Sequence, residues 1–169
     1  STANDLRTKS AVIFNVTLPQ AAYAAGHFID EDETLILIAD RSNSTAGKIH
    51  KYLFNTPGDL AGGLTFNSTI TIQNLPNYTG GVDNAPGGIA MSPDGAKIYY
   101  KNYNYGGNLY QLNLSIPYDL SSASYFGELI LPDGVIDNYS YEFYIKPDGT
   151  KLYYAISNAS GDIQQLTSA

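Results

Sequence analysis

The chain has no cysteine, no tryptophan, one methionine, two histidines and only nine lysines and arginines among 169 residues. Each shortage removes a class of chemistry. Without cysteine there are no disulfides, no thiolate nucleophile and no cysteine-ligated metal. The compartment stays open, because a large β fold holds together outside a cell without staples. The basic residues are scattered among sixteen acidic ones, for a net charge of −7. A phosphate-backbone footprint needs clustered Lys and Arg, so nucleic acid is excluded as a partner, and anionic membrane surfaces are disfavoured. No apolar run approaches the roughly 18 residues of a spanning helix, so no membrane insertion is expected. The first residue is Ser1 rather than Met, which we read as processing or excision from a longer chain.

What is plentiful is turn and strand chemistry: fifteen tyrosines, sixteen glycines and eight prolines. No window carries an apolar stripe at helical spacing. The length suits one domain over residues 1–169.

A unit recurs three times. Ser92-Pro93-Asp94-Gly95-Ala96-Lys97-Ile98-Tyr99-Tyr100 returns as Lys146-Pro147-Asp148-Gly149-Thr150-Lys151-Leu152-Tyr153-Tyr154, and a worn copy begins Asp30-Glu31-Asp32-Glu33-Thr34-Leu35. The aspartates at 32, 94 and 148 lie 62 and 54 positions apart, the spacing of blades in a β-propeller. Each unit parses as a first strand, an acidic turn, a second strand, a polar hairpin and a third strand. First strands are expected at 28–29, 88–91 and 142–145, second strands at 34–39, 97–101 and 151–156, and third strands at 48–54, 108–114 and 162–166. Units one and two add fourth strands at 64–72 and 125–131, ending at Leu75-Pro76 and Leu131-Pro132.

Unit three ends without a fourth strand. Residues 10–19 have the fourth-strand pattern and the same Leu18-Pro19 ending. The expected fold is therefore all-β and propeller-like. Three four-stranded antiparallel blades form, and an N-terminal outer strand (Val12, Phe14, Val16, Leu18) completes a blade beside Ile163 and Leu166. Second strands such as Leu35-Ile36-Leu37-Ile38 are apolar on both faces, as stacked blades require. A three-layered sandwich is the alternative.

Propellers close with four to eight blades, so three imply further blades from elsewhere. Copies of the same chain, joined head to tail, would make a ring, or a filament if the rotation fails to close. The N-terminal strand could act within one chain or between chains. The competing reading is a fragment of a longer propeller.

The Pro-Asp-Gly-x-Lys-apolar-Tyr signature resembles the YVTN-type propellers of archaeal and bacterial surface proteins. The phrase from Asn108 to Tyr125 resembles repeats of the form YxYxLSTPWDISTASY, found in structural or appendage proteins of marine phages and in some bacterial surface proteins. The likeness covers units two and three well and unit one loosely, with Tyr118 where Trp is usual. It implies a virion or cell-surface location and no catalytic residues.

Little else points to chemistry. His27 and His50 stand outside any spaced metal motif. No nucleophile elbow or phosphate loop is present. Asp30-Glu31-Asp32-Glu33 offers oxygens for Ca²⁺ but lacks EF-hand spacing and aligns with a plain turn. The turns also evoke the sialidase Asp-box, without its Trp. No catalytic residue, cofactor or metal site is expected, and the chain is expected not to be an enzyme. Asn-x-Ser/Thr sequons at Asn15, Asn43, Asn67, Asn77, Asn113, Asn138 and Asn158 are denser than composition alone would place, and mark candidate glycosylation sites of an exported protein. Tyr103, Tyr105, Tyr118, Tyr139 and Tyr141 gather near loops, where flat rings suit sugars.

These observations lead us to expect an extracellular or virion-surface structural protein, non-catalytic, assembling with copies of itself. A lectin-like ring that binds glycans is the second expectation, and a severed part of a propeller enzyme the third.

Overall fold

The structure is a computed structural model that describes residues 16–41, 47–78, 86–102, 108–130, 143–155 and 163–167. The strands form three antiparallel sheets in which each strand pairs with its neighbours in sequence. The first sheet holds β1 (Ala24–Ile29), β2 (Leu35–Asp40), β3 (Lys48–Phe54) and β4 (Leu64–Thr71). The second holds β5 (Pro86–Met91), β6 (Lys97–Asn102), β7 (Leu109–Leu114) and β8 (Ala123–Leu129). The third holds β9 (Phe143–Ile145), β10 (Lys151–Ala155) and β11 (Ile163–Thr167). The blade repeat is thus present, with strand ends within a few residues of those expected.

The acidic turns join each first strand to its second, and side chains hold them shut. Asp94 accepts from Ser92 Oγ at 2.5 Å and from the amide of Ala96 at 3.0 Å. Asp148 accepts from the Thr150 amide and hydroxyl and from Lys146 Nζ. Gly95 (φ +69°) and Gly149 (φ +70°) take the left-handed position, which glycine occupies without steric cost. In the worn copy a glutamate, Glu33, sits there at φ +54°. Asp30 braces that turn, accepting from the Thr34 and Leu35 amides at 2.7 and 2.8 Å.

In blades one and two a loop between third and fourth strands folds back onto the turn. Its left-handed residue is Gly58 in blade one and Tyr118 in blade two. Gly58 N–H donates to the Glu33 carbonyl at 3.0 Å, and Tyr118 N–H to the Gly95 carbonyl at 2.9 Å. The Tyr118 ring lies on Gly95, and its hydroxyl donates to the Pro93 carbonyl at 2.7 Å.

The sheets stack face to face. All six residues of β2 are buried. Leu37, Ile49 and Ile72 of blade one pack against Ile98, Leu112 and Leu120 of blade two in the main core. Leu152 and Tyr154 of blade three pack against Leu109 and Tyr99. First strands meet at the inner edge, β1 against β5 and β5 against β9. The approach is so close that a Cβ on Gly26 would stand 2.1 Å from the Gly87 carbonyl oxygen. Lys51 ties the outer part, donating to the Tyr118 carbonyl at 2.7 Å. This stacking through shared inner strands is a propeller arrangement, not a three-layered sandwich.

The expected N-terminal strand lies mostly outside the described residues, Val12 and Phe14 included. Val16 and Leu18 are described and belong to no strand. Leu18 and Ala21 instead cover the flank of blade one that faces away from blade two, over Ile36, Ile38 and Tyr52.

Candidate functional site

The two ends of the arc differ. The far flank of blade one is closed by residues 18–23. Tyr52, 2% exposed, donates its hydroxyl to Gln20 Oε1 at 3.2 Å. Below it, buried Asp40 accepts from the amides of Ala22 and Tyr23 at 3.3 and 3.0 Å and lies 3.2 Å from His50 Nε2. The other ring nitrogen of His50 meets Thr69 Oγ1 at 2.8 Å.

A carboxylate, an imidazole and a hydroxyl in series resemble a nucleophile relay. Position by position, however, blade two repeats the set with other groups. Tyr110 faces Glu128 as His50 faces Thr69, and Tyr110 is hydrogen-bonded to Asn102 and Glu128. A motif that changes chemistry between blades while keeping its geometry is a fold device: it ties second, third and fourth strands together. Asp40 adds the anchoring of the chain that enters β1. His27, by contrast, is exposed on β1.

The free flank of blade three is different. Register places Tyr144, Tyr153 and Gln165 in one row across β9, β10 and β11. The two rings lie 6.2 Å apart. Tyr144 is 58% exposed and Ile163, on the same face, 76%. Leu166 points the other way, into the contact with blade two, so Ile163 and Leu166 share a strand but not a face. This row is the candidate interaction surface.

A second feature is a groove of about 230 Å³ on blade two, lined by Tyr99, Leu109, Tyr110, Phe126 and Leu129, with Gln111 and Glu128 as polar groups. Burial raises the pKa of both tyrosines.

Of the loop tyrosines, Tyr103, Tyr105, Tyr139 and Tyr141 lie outside the described residues, and Tyr118 is committed to its turn. Among the sequons, Asn15, Asn43, Asn138 and Asn158 are also outside. Asn67 and Asn77 are exposed. Asn113 is half-buried on a central strand, where its Oδ1 accepts from Gln111 at 2.7 Å, a poor place for a glycan. Among the described residues no group of three His, Asp or Glu side chains could hold a metal ion, and no helix is long and apolar enough to cross a membrane. The sequence did not reveal the Tyr144–Tyr153–Gln165 row, although the alternation in each strand carried part of it.

Fold and surface together define an arc of a β-propeller. No family model matches the chain, and no curated protein does. Solved structures do. A provisionally assigned 6-phosphogluconolactonase from Bacteroides fragilis matches with 17% identity and a TM-score of 0.55, over 85% of this chain and 34% of its own. A second, from Bacteroides uniformis, matches with 17% identity and a TM-score of 0.57, over 91% and 41%. A chain of the nidogen–laminin complex matches with 14% identity and a TM-score of 0.52, over 85% and 44%. The chain thus spans less than half the length of these proteins, and the likeness is one of fold.

The comparison corrects one expectation. The absence of a recognisable motif led us to expect that the chain is not an enzyme. The two Bacteroides propellers carry the name of an enzyme, so the expectation that the chain is not an enzyme does not stand.

Proposed function

We propose that this chain is a propeller segment that joins head to tail with copies of itself, as a structural component of a cell surface, extracellular filament or virion. The exposed row on the free flank of blade three carries the reading. Tyr99 and Leu109, at the same sheet positions in blade two as Tyr153 and Ile163, pack against blade three, and a propeller needs at least four blades to close. Covering about 400 Å² of that flank would contribute roughly 10 kcal/mol in gross terms, much of it offset by lost rotational and translational freedom. That the chain spans 34 to 44% of the solved chains it resembles supports a need for further blades. The likeness of its repeats to YVTN-type surface propellers and phage appendage repeats supports the location, as do the exposed sequons at Asn67 and Asn77.

Mass photometry on native material tests the proposal. Dimers or longer polymers are expected; a monomer at tens of micromolar, or native material of longer chain length that carries the other blades itself, refutes it. Intact mass compared with sequence mass reads the sequons directly. The groove on blade two favours glycan binding as a second reading, since aromatic walls with a Gln and a Glu suit a sugar ring. A glycan array without hits removes it.

A further inference from the structure

We infer that the groove on blade two is the seat of a peptide turn, one in which an aspartate caps a single 3₁₀ turn that begins with leucine. Blade one shows such a seat when it is filled. Register matches the two faces position by position. In blade two Gln111 lies across from Tyr99 and Gly127, and Leu109 from Leu129. In blade one Lys51 lies across from Leu37 and Ser68, and Ile49 from Ile70. Both faces bulge just after that row, between Lys51 and Tyr52 and between Gln111 and Leu112. The groove is therefore the counterpart of the face around Lys51.

In blade one that face is covered by the loop between the third and fourth strands of blade two. Lys51 Nζ donates to the Tyr118 carbonyl at 2.7 Å. Asp119 accepts from the Ser121 amide and hydroxyl at 2.9 and 2.7 Å and so caps the turn Leu120–Ser122, which lies against β4. Leu120, 1% exposed, packs in one core with Ile49, Ile70 and Ile72. Burial separates the covered face from the open one: Ile70 is 8% exposed and its counterpart Leu129 is 47%. Gly127 keeps the groove open, because a Cβ there meets nothing within 4 Å.

The chemistry of the seat is preserved. Leu109 and Leu129 offer an apolar bed for a leucine side chain. Gln111 stands where Lys51 stands. Its Nε2 donates to Asn113 Oδ1 at 2.7 Å, and the same amide group has a second proton for a carbonyl. The turn is also shaped locally rather than by its seat. Asp59 caps the matching turn of blade one in the same way, accepting from the Ala61 amide at 2.9 Å. A ligand already folded loses less freedom on binding. This inference does not rest on the assembly of copies, and it competes with the glycan reading of the same groove.

The chain has no cysteine, so one introduced thiol is unique. Full-length Phe126→Cys, at the exposed rim of the groove, is equilibrated at low concentration in a thiol–disulfide buffer. The probe is a peptide of residues 115–123 with a cysteine on a short glycine tail. Ile130→Cys is a second anchor should Phe126→Cys fold poorly. Mixed disulfide is read by intact mass. Capture roughly tenfold above that of the same peptide with Leu120→Ala is expected. The preference should vanish when Gly127→Leu fills the groove, or when Leu129→Asp charges its bed if Gly127→Leu does not fold. Equal capture of the two peptides at both anchors overturns the inference. A preference that survives both groove substitutions puts the peptide elsewhere and overturns it too. A glycan-array hit that Gly127→Leu abolishes, with no peptide preference, assigns the groove to sugars instead.

Discussion

Replacing Gly26 by alanine tests how the blades meet. The added methyl would stand 2.1 Å from the Gly87 carbonyl oxygen and 3.1 Å from Gly88 Cα, both backbone atoms of β5. Backbone does not swing aside as a flexible side chain does, so β1 and β5 must separate. Forcing extra atoms into a packed site costs about 1–3 kcal/mol. Gly127→Ala is the internal control, since a Cβ there meets nothing within 4 Å; its effect should stay within about 0.5 kcal/mol. With a urea slope of about 2 kcal/mol per molar, the Gly26→Ala midpoint should fall by roughly 0.5–1.5 M while that of Gly127→Ala barely moves. If both midpoints stay together, the inner strands do not meet as described, and the stacking of blades one and two is wrong.

Two further outcomes follow from the polar groups. His50→Ala removes the centre of the Asp40–His50–Thr69 set and takes the imidazole away from a buried carboxylate, so a loss of about 1–3 kcal/mol is expected by denaturation; an unchanged midpoint would show that the set ties nothing. Hydrogen bonds from Ser92, Ser121 and Lys146 hold Asp94, Asp119 and Asp148 below the ordinary value of 3.8. Their stabilisation is therefore complete above that value and withdrawn as pH falls through the lower folded-state values, so stability should fall progressively below about pH 4. Asp94→Asn and Asp148→Asn should flatten that drop in acid titrations followed by circular dichroism; an unaltered profile would refute the assignment.

Much of the blade was legible in the sequence because turn chemistry is local. Pro93-Asp94-Gly95 and Pro147-Asp148-Gly149 declare their turns within three residues, and β3 runs from Lys48 to Phe54 as expected. β1 was read as Phe28 and Ile29 alone, yet it begins at Ala24. Ala24, Ala25 and Gly26 carry no strand signal, and what requires a glycine at 26 is the backbone of β5, more than sixty positions away. The Asp40–His50–Thr69 set was invisible for a similar reason. Its members are ten and nineteen positions apart, and blade two fills the same places with Asn102, Tyr110 and Glu128, so no shared letters reveal it. The exposed row on blade three depends on register among three strands, which one strand's alternation does not fix.

The exchange between Glu33 with Gly58 and Gly95 with Tyr118 limits how the units diverge. A Cβ on Gly58 would stand 2.1 Å from a Glu33 carboxylate oxygen, and one on Gly95 2.5 Å from the Tyr118 ring. Bulk therefore occupies one side of each contact and never both. A lone transplant of Tyr118 into blade one, or of Glu33 into blade two, collides, whereas moving the two letters as a couple keeps the fit. Anyone recombining these modules, in evolution or at the bench, must carry the partners across together.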